Sequence, residues 1–267
     1  MHAFEYHRPG STKDALSLGK KAEARYLAGG QSLVQAMKLR LSSPSDLIDL
    51  GVLKELSFVK STKDGVEVGA MTRHADVASS SAVQKTIPAL ASLAGMIGDR
   101  QVRHMGTIGG SLANNDPAAD YPAAVLALGA TINTNKRKIE ADKFFKGLYE
   151  TALEPGELIT SVSFPVAKRA AYMKFKNPAS RFALVGVFVA DFGGRVRVAV
   201  TGAGPVVFRQ AEMEKALSAK FAPEAVANVK VKADGLNNDL HASPEYRAHL
   251  ITVMAKRAVE AALRQQP

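Results

Sequence analysis

The sequence predicts an α+β chain built in three blocks. Three observations predict it. Two glycine turns, in Tyr26–Leu33 and in Gly106–Ser111, each follow an apolar segment and lead into a helical pattern. Strand-like alternation dominates after residue 170, and a long amphipathic helix closes the chain. Between them Pro165 ends an apolar run, so the clearest boundary lies at 165–170. At 267 residues and 46% apolar composition, the chain is long enough for two or three subdomains with their own cores.

The first block reads as a small α/β unit. Phe4–Arg8 is a short strand stopped by Pro9, and Ser11 or Thr12 caps a helix over about 12–20. Ala24–Ala28 is a strand that runs into the first glycine turn. Leu33, Met37 and Leu41 recur at helical spacing and predict a core-facing stripe; Leu47–Leu50 is a further strand.

The second block opens on a hairpin: Phe58–Lys60, a turn at Asp64-Gly65, then Val66–Val68. Thr72 is expected to cap a helix running to about Ser80. Ala89–Ile97 is small and apolar, a buried helix leading to the second glycine turn. Ala123–Leu128 reads as another buried helix, with Pro117 and Pro122 setting the turns before it. Ala130–Asn133 and Ile159–Phe164 are strands.

In the third block Ala171–Phe175 and Ala183–Asp191 are strands, and Gly193-Gly194 is a tight turn. Arg195–Val200 alternates, with valines on one face and Arg/Ala on the other. A helix over about 209–219 follows. The last helix runs over 244–263, with Tyr246, Leu250, Val253, Met254 and Ala258 on one face.

Composition excludes several function classes. The sequence has no cysteine, so it offers no disulfide, no thiol nucleophile and no cysteine ligand for zinc or an iron–sulfur cluster. The six histidines form no H-x-x-x-H or H-E-x-x-H pattern, so no metal site is expected. No opening leader pattern and no apolar run near the roughly 18 residues of a membrane helix is visible, and a reducing, cytoplasmic setting is expected. The net charge is +10, but the basic residues are scattered, aromatics are only 6%, and no recognition motif appears. That argues for a solvated basic surface, or one meeting an acidic partner or phosphates, rather than a nucleic-acid platform.

The chemistry concentrates in Gly98–Pro122. Gly106, Gly109 and Gly110 allow close backbone approach, while Thr107, Ser111, Asn114 and Asn115 carry hydrogen-bonding side chains. Arg100 and Arg103 add positive charge; Asp116 and Asp120 flank the next helix. Together with Ala28-Gly29-Gly30-Gln31-Ser32-Leu33, this second turn could clamp a diphosphate between two sets of backbone N–H groups. Neither turn is a G-x-G-x-x-G fingerprint or a P-loop. His104 lacks an acid partner at useful spacing, and His74, three residues beyond a glycine-alanine turn, is expected to start a helix; neither is read as acid or base.

The pair AGGQSL and TIGGSLA resembles the flavoprotein (medium) subunits of the molybdenum hydroxylases, including the carbon monoxide dehydrogenase medium subunit and the xanthine dehydrogenase flavin domain. The likeness extends to Phe4–Pro9, Met37–Leu41, Gly69–His74, Phe144–Gly147, Pro155–Ile159 and Tyr172–Phe175, so it covers nearly the whole chain. It implies a two-subdomain vanillyl-alcohol oxidase-type FAD-binding fold over 1–55 and 56–165. A C-terminal carbon monoxide dehydrogenase flavoprotein-type α+β domain would occupy 166–267. It also implies FAD on this chain, held by Ala28, Gly29, Gly30, Gln31, Ser32 and Leu33 and by Thr107, Gly109, Gly110 and Ser111. Asp120 would contact the cofactor. Asp116 would either do so or cap a helix. Lys174 would be a cation near the flavin ring or a solvated strand lysine; Phe182 would contact the ring or pack in the core.

The implied assembly is a dimer of heterotrimers. A large molybdenum-cofactor subunit and a small subunit with two [2Fe-2S] clusters would pass electrons to FAD and on to an external acceptor, through which the complex could meet the inner face of a membrane. No catalytic residue is expected on this chain. Two alternatives stay open at this point: a stand-alone FAD-dependent oxidoreductase, and an assembly subunit without flavin.

Overall fold

The computed structural model describes residues 1–264; the last three residues of the third block lie outside them. Helices and strands mix in three blocks, each with its own sheet.

The first block runs β1 (Glu5–His7), α1 (Thr12–Leu18), β2 (Ala24–Leu27), α2 (Leu33–Lys38) and β3 (Asp46–Asp49). Its three strands are parallel in the order β1-β3-β2, which places helices between strands in sequence. Ser11 caps α1 by accepting a hydrogen bond from the Asp14 N–H. Ala15, Ile48, Leu50, Leu53, Leu56 and Leu158 form the core beneath the sheet.

The expected stripe on α2 holds only in part. Met37 is buried, but the helix stops at Lys38 and leaves Leu39 and Leu41 at 71% and 79% exposure. Arg40 enters the left-handed region at φ 60°, while the Leu41 and Arg40 N–H groups close back on the Ala36 and Met37 carbonyls. This Schellman-type end turns the chain away from the core before Leu41 can reach it.

The second block begins with β4 (Val59–Ser61) and β5 (Gly65–Gly69), the expected hairpin. Six helices follow: α3 (His74–Ser79), α4 (Ser81–Thr86), α5 (Pro88–Gly95), α6 (Arg100–Met105), α7 (Ile108–Asn114) and α8 (Tyr121–Leu128). Then come β6 (Thr131–Thr134), β7 (Lys138–Glu140), α9 (Ala141–Phe144), β8 (Phe145–Gly147), β9 (Glu150–Thr151) and β10 (Ile159–Pro165). The five-stranded antiparallel sheet has the order β4-β5-β10-β6-β7, so the last strand sits between two earlier ones. Val162 lies opposite Val68 and Ile132, and this face buries against α5, α7 and α8. Every residue of α8 is buried. Thr72 does not cap α3. Its hydroxyl instead donates to the Phe58 carbonyl (2.9 Å) and accepts from the Phe58 N–H (3.1 Å), tying the hairpin to the turn before the helix.

The third block contains β11 (Arg169–Lys176), β12 (Ala183–Asp191), β13 (Val196–Thr201) and β14 (Phe208–Arg209), antiparallel in chain order. They are followed by α10 (Ala211–Ala219), α11 (Pro223–Ala227) and α12 (Pro244–Arg264). Gly193 and Gly194 turn with positive φ, and the Asp191 carboxylate accepts both N–H groups. The valines of β12 and β13 meet Leu250, Met254 and Ala258 of α12. Tyr246, expected on that face, is 43% exposed. The opposite face of this sheet (Ala170, Tyr172, Phe188, Ala190 and Ala199) joins the core of the second block.

Candidate functional site

The two glycine stretches, far apart in sequence, touch in space. A Cβ on Gly29 would overlap the Met105 carbonyl and the Gly106 backbone, and one on Gly110 would lie 3.4 Å from the Ala28 Cβ. At Gly29 only a residue without a side chain permits this approach. The first stretch follows β2, whose parallel pairing with β3 delivers it to the end of the sheet. The second is positioned by the helix corner α6–α7, with the His74 N–H bonded to the Gly106 carbonyl and the Ile108 N–H to that of Thr72.

The two stretches differ in what they offer. Among the described residues, the N–H groups of Gly29, Gly30, Gln31, Ser32 and Leu33 find no protein acceptor, and Gly30 takes φ 71°. Successive unpaired N–H groups make an anion cradle. The second stretch departs from the expectation of free backbone donors. Ile108, Gly109 and Ser111 donate to the Thr72, Ala70 and Thr107 carbonyls, and the Gly110 N–H donates to the Thr107 hydroxyl at 3.2 Å. These bonds start α7 and lock it against β5. What the stretch leaves accessible is the half-buried Ser111 and a surface without a side chain at Gly110; Thr107 is buried and its hydroxyl caps α7. A Cβ on Gly109 would meet Ala70 at 2.6 Å, so that glycine serves packing.

Asp116 does not cap α8. Its carboxylate accepts from the Ala118 N–H (2.8 Å) and from the Tyr149 hydroxyl (3.4 Å), bracing the turn before the helix. Asn115 turns inward and holds the β8–β9 ribbon through the Gly147 and Glu150 carbonyls. Asp120 stands at the cap position of α8 but makes no cap bond. Its buried carboxylate accepts from the Tyr172 hydroxyl at 2.5 Å and from Lys174 Nζ at 2.8 Å. Lys174 is therefore not a solvated strand lysine. Its side chain is fully buried, and Nζ also donates to the Met96 carbonyl. Burial pushes the Asp120 carboxyl above its ordinary range, against the pull of Lys174. Burial likewise raises the Tyr172 hydroxyl.

Tyr172 was not singled out from the sequence. The signal available was its i, i+2 spacing to Lys174, which puts both on one strand face. Gly186 on β12 leaves the space that the Tyr172 hydroxyl fills. Phe182, expected in the core or against the ring, is 50% exposed. His104 is exposed on α6, whereas His74 is buried with Nδ1 lacking a partner and its ring 5.3 Å from that of Tyr121. Burial, aided by Arg103, lowers the His74 pKa to about 4, which keeps it neutral. Among the described residues no group of His, Asp and Glu side chains is placed to hold a metal ion.

Residues 2–167 match the family described as the FAD binding domain in molybdopterin dehydrogenase. Residues 170–262 match the CO dehydrogenase flavoprotein C-terminal domain. The chain belongs to the FAD-binding subunits of the molybdopterin dehydrogenases. It is 36% identical to the glyceraldehyde dehydrogenase medium chain of Sulfolobus acidocaldarius, over 96% of each chain. It is 34% identical to the carbon monoxide dehydrogenase medium chain of Hydrogenophaga pseudoflava, over 97% of this chain and 96% of that one. The fold superposes on the carbon monoxide dehydrogenase of Hydrogenophaga pseudoflava that lacks the Mo-pyranopterin moiety, with TM-score 0.90 and 36% identity, covering 100% of this chain and 99% of that one. It also superposes on quinoline 2-oxidoreductase from Pseudomonas putida 86, with TM-score 0.88 and 29% identity over 98% of each. As a member of this family the chain is an oxidoreductase subunit, and FAD is its cofactor. The residues fit FAD: the unaccepted N–H groups of Gly29–Leu33 suit its diphosphate, and the backbone contact of Gly29 with Met105 and Gly106 sets them beside the second glycine stretch.

Proposed function

We propose that this chain is the electron-output module of a multi-subunit molybdenum hydroxylase. The observation that carries the reading is the run of five unaccepted N–H groups at Gly29–Leu33, pressed against the Thr107–Ser111 corner. In this reading Ala28, Gly29, Gly30, Gln31, Ser32 and Leu33 hold the diphosphate between the units 1–55 and 56–165. Ser111 supplies a hydroxyl group to the neighbouring sugar or ribityl oxygens, Thr107 caps the helix that carries it, and Gly109 and Gly110 keep the wall close. Asp116 shapes the entry turn. The 166–267 unit contributes Lys174, which Asp120 and Tyr172 hold in place next to the flavin. When bound, FAD supplies the ability to accept and release electrons singly or in pairs.

The chain itself has no cysteine, so cysteine-held iron–sulfur clusters that feed the flavin belong on another chain. The relatives are named as medium chains of larger enzymes, which supports a large molybdenum-cofactor subunit and a small subunit with two [2Fe-2S] clusters as partners, in a dimer of heterotrimers. The oxidised substrate then never touches this chain, and an external acceptor takes the electrons. Among the described residues no helix is long and apolar enough to cross a membrane. We place the complex in the cytoplasm, meeting a membrane only through its acceptor.

The test is the visible spectrum, metal content and subunit composition of the complex purified through a tag on this chain. Flavin bands with iron–sulfur absorbance, molybdenum and two co-purifying chains are expected. A colourless preparation that takes up no added FAD overturns the reading.

A further inference from the structure

The sheet of the first block is parallel, and parallel sheets are ordinarily covered on both faces. Its two crossovers run in opposite directions: α1 leads from β1 to β2, and α2 leads from β2 back to β3. Right-handed crossovers of opposite direction lie on opposite faces. The α1 face is filled, with Ala15 and Ile48 in one core. Strand alternation puts Leu47 on the other face, together with its register partners Tyr6 and Arg25.

That second face is covered only in part. α2 has six residues, about 9 Å of helix. Met37 and Leu47 are buried, but Tyr6 is 55% exposed, and Leu39 and Leu41 stand in water beyond the end of the helix. All three are held in place. The Arg40 and Leu41 N–H groups close back on α2, and the Tyr6 hydroxyl donates to the Asp49 carboxylate at 2.5 Å. Large apolar side chains fixed outward on one layer mark an interaction surface. The charge there has one sign. No acidic residue occurs from Ala24 to Ser45. Among the described residues neither Arg25, Lys38 nor Arg40 pairs with a carboxylate. Asp49, which alternation places on this face, is already taken by Tyr6 and Arg8.

We infer that this face, marked by Tyr6, Leu39 and Leu41, is the docking surface for the iron–sulfur subunit, which supplies the missing layer over the sheet. The inference rests on the reading of the chain as an electron-output module. Three features favour that occupant. Leu33 both ends the run of unaccepted N–H groups and starts α2, so a chain laid over α2 stands one short helix from the flavin's diphosphate. The chain that hands electrons to the flavin has to stand that close; the molybdenum chain, which passes its electrons through the clusters, does not. A [2Fe-2S] cluster held by four thiolates carries net negative charge, which complements unpaired cations. Exposed leucines suit a contact that stays closed, whereas an external acceptor has to come and go.

The experiment purifies the complex through a tag on this chain, with and without the double change Leu39→Ser and Leu41→Ser. Both positions are exposed, so fold and flavin content per chain are expected to hold. Iron and acid-labile sulfide per flavin should fall about tenfold after a wash at moderate salt. Leu39→Met with Leu41→Met keeps the apolar surface and should retain them. Lys38→Gln with Arg40→Asn should weaken retention at low salt and flatten its dependence on salt; Asn is chosen because it tolerates the left-handed conformation. A wild-type complex with no iron–sulfur chain overturns the electron-output reading itself. Where the wild-type complex is complete, a serine variant that keeps its iron overturns only this face. The same follows if that variant sheds the molybdenum chain but not the iron, changes only the self-association of this chain, or loses FAD along with the iron. An unchanged salt dependence in the charge variant also overturns it.

Discussion

Gly29 cannot gain a side chain without moving the Met105 carbonyl, because the two glycine stretches meet there backbone to backbone. Gly29→Ala is expected to loosen the clamp by about 1–3 kcal/mol, the usual cost of overpacking, and to weaken FAD retention roughly tenfold or more. Flavin absorbance per chain after dialysis measures it. Gly10→Ala, with open space around it and no positive φ, is the matched control and should change nothing. His74 carries a second prediction. Its pKa falls from the ordinary 6.5 to about 4 because burial disfavours the charged ring. The unfolded chain therefore binds a proton before the folded one does, and stability is lost as pH falls from about 6.5 to about 4. The full loss is on the order of 3 kcal/mol. His74→Leu should show a shallower fall in melting temperature across that window; an equal fall assigns the acid sensitivity elsewhere. At this scale the glycines were legible only as two matching stretches, since a single Gly-Gly after a strand, as at Gly193-Gly194, marks a turn and nothing more. The partners of Asp120 were not, because Tyr172 and Lys174 arrive from a strand more than fifty residues later.

Arg197 shows what an element contributes that its own alternation hides. The Val/Arg-Ala pattern of β13 is a period-two pattern, and the strand is there. Alternation with a basic residue ordinarily marks a solvent face, yet both faces of β13 are buried. Arg197 is tolerated because its guanidinium donates twice to the Leu126 carbonyl at the end of α8 and reaches both oxygens of Asp142. It satisfies a helix C-terminus and sits where the helix dipole favours a cation. Arg197→Ala leaves that carbonyl and Asp142 without their donor and should cost about 3 kcal/mol in chemical denaturation. Arg197→Lys should recover only part of this, since an ammonium cannot fork across both partners. The helix ends were the least legible features. The Leu33/Met37/Leu41 spacing continues one turn past the end of α2, because the left-handed turn at Arg40 leaves no trace in hydrophobic periodicity. Thr72 has the composition of a cap but finds Phe58 closer than the first turn of α3.

At the scale of the whole molecule, the break at 165–170 that Pro165 announces is a break in the chain and not in the core. Ala170, Tyr172, Phe188, Ala190, Ala199 and Val207 of the third block are buried in the same cluster as Leu90, Leu93, Val125 and Leu128 of the second. The Thr201 hydroxyl donates to the Ala119 carbonyl at 2.6 Å and the Gly202 N–H to that of Pro117 at 2.8 Å, so the third block also holds the turn before α8. Lys174, Tyr172 and Arg197 cross the same boundary. A chain cut after residue 168 would expose the apolar faces of α5 and α8, uncover the Asp120 carboxylate and strip the end of α8 of its cap. Each fully exposed large side chain costs about 1.5–3 kcal/mol, against a total stability of about 5–15 kcal/mol. The fragment is therefore expected to be insoluble or unfolded and to retain no FAD, even though the unaccepted N–H groups of Gly29–Leu33 lie wholly within it. Supplying residues 169–267 in trans during expression should restore both solubility and flavin. A fragment that folds alone and keeps FAD would show that the third block contributes nothing the flavin site needs, and would remove Lys174 from it.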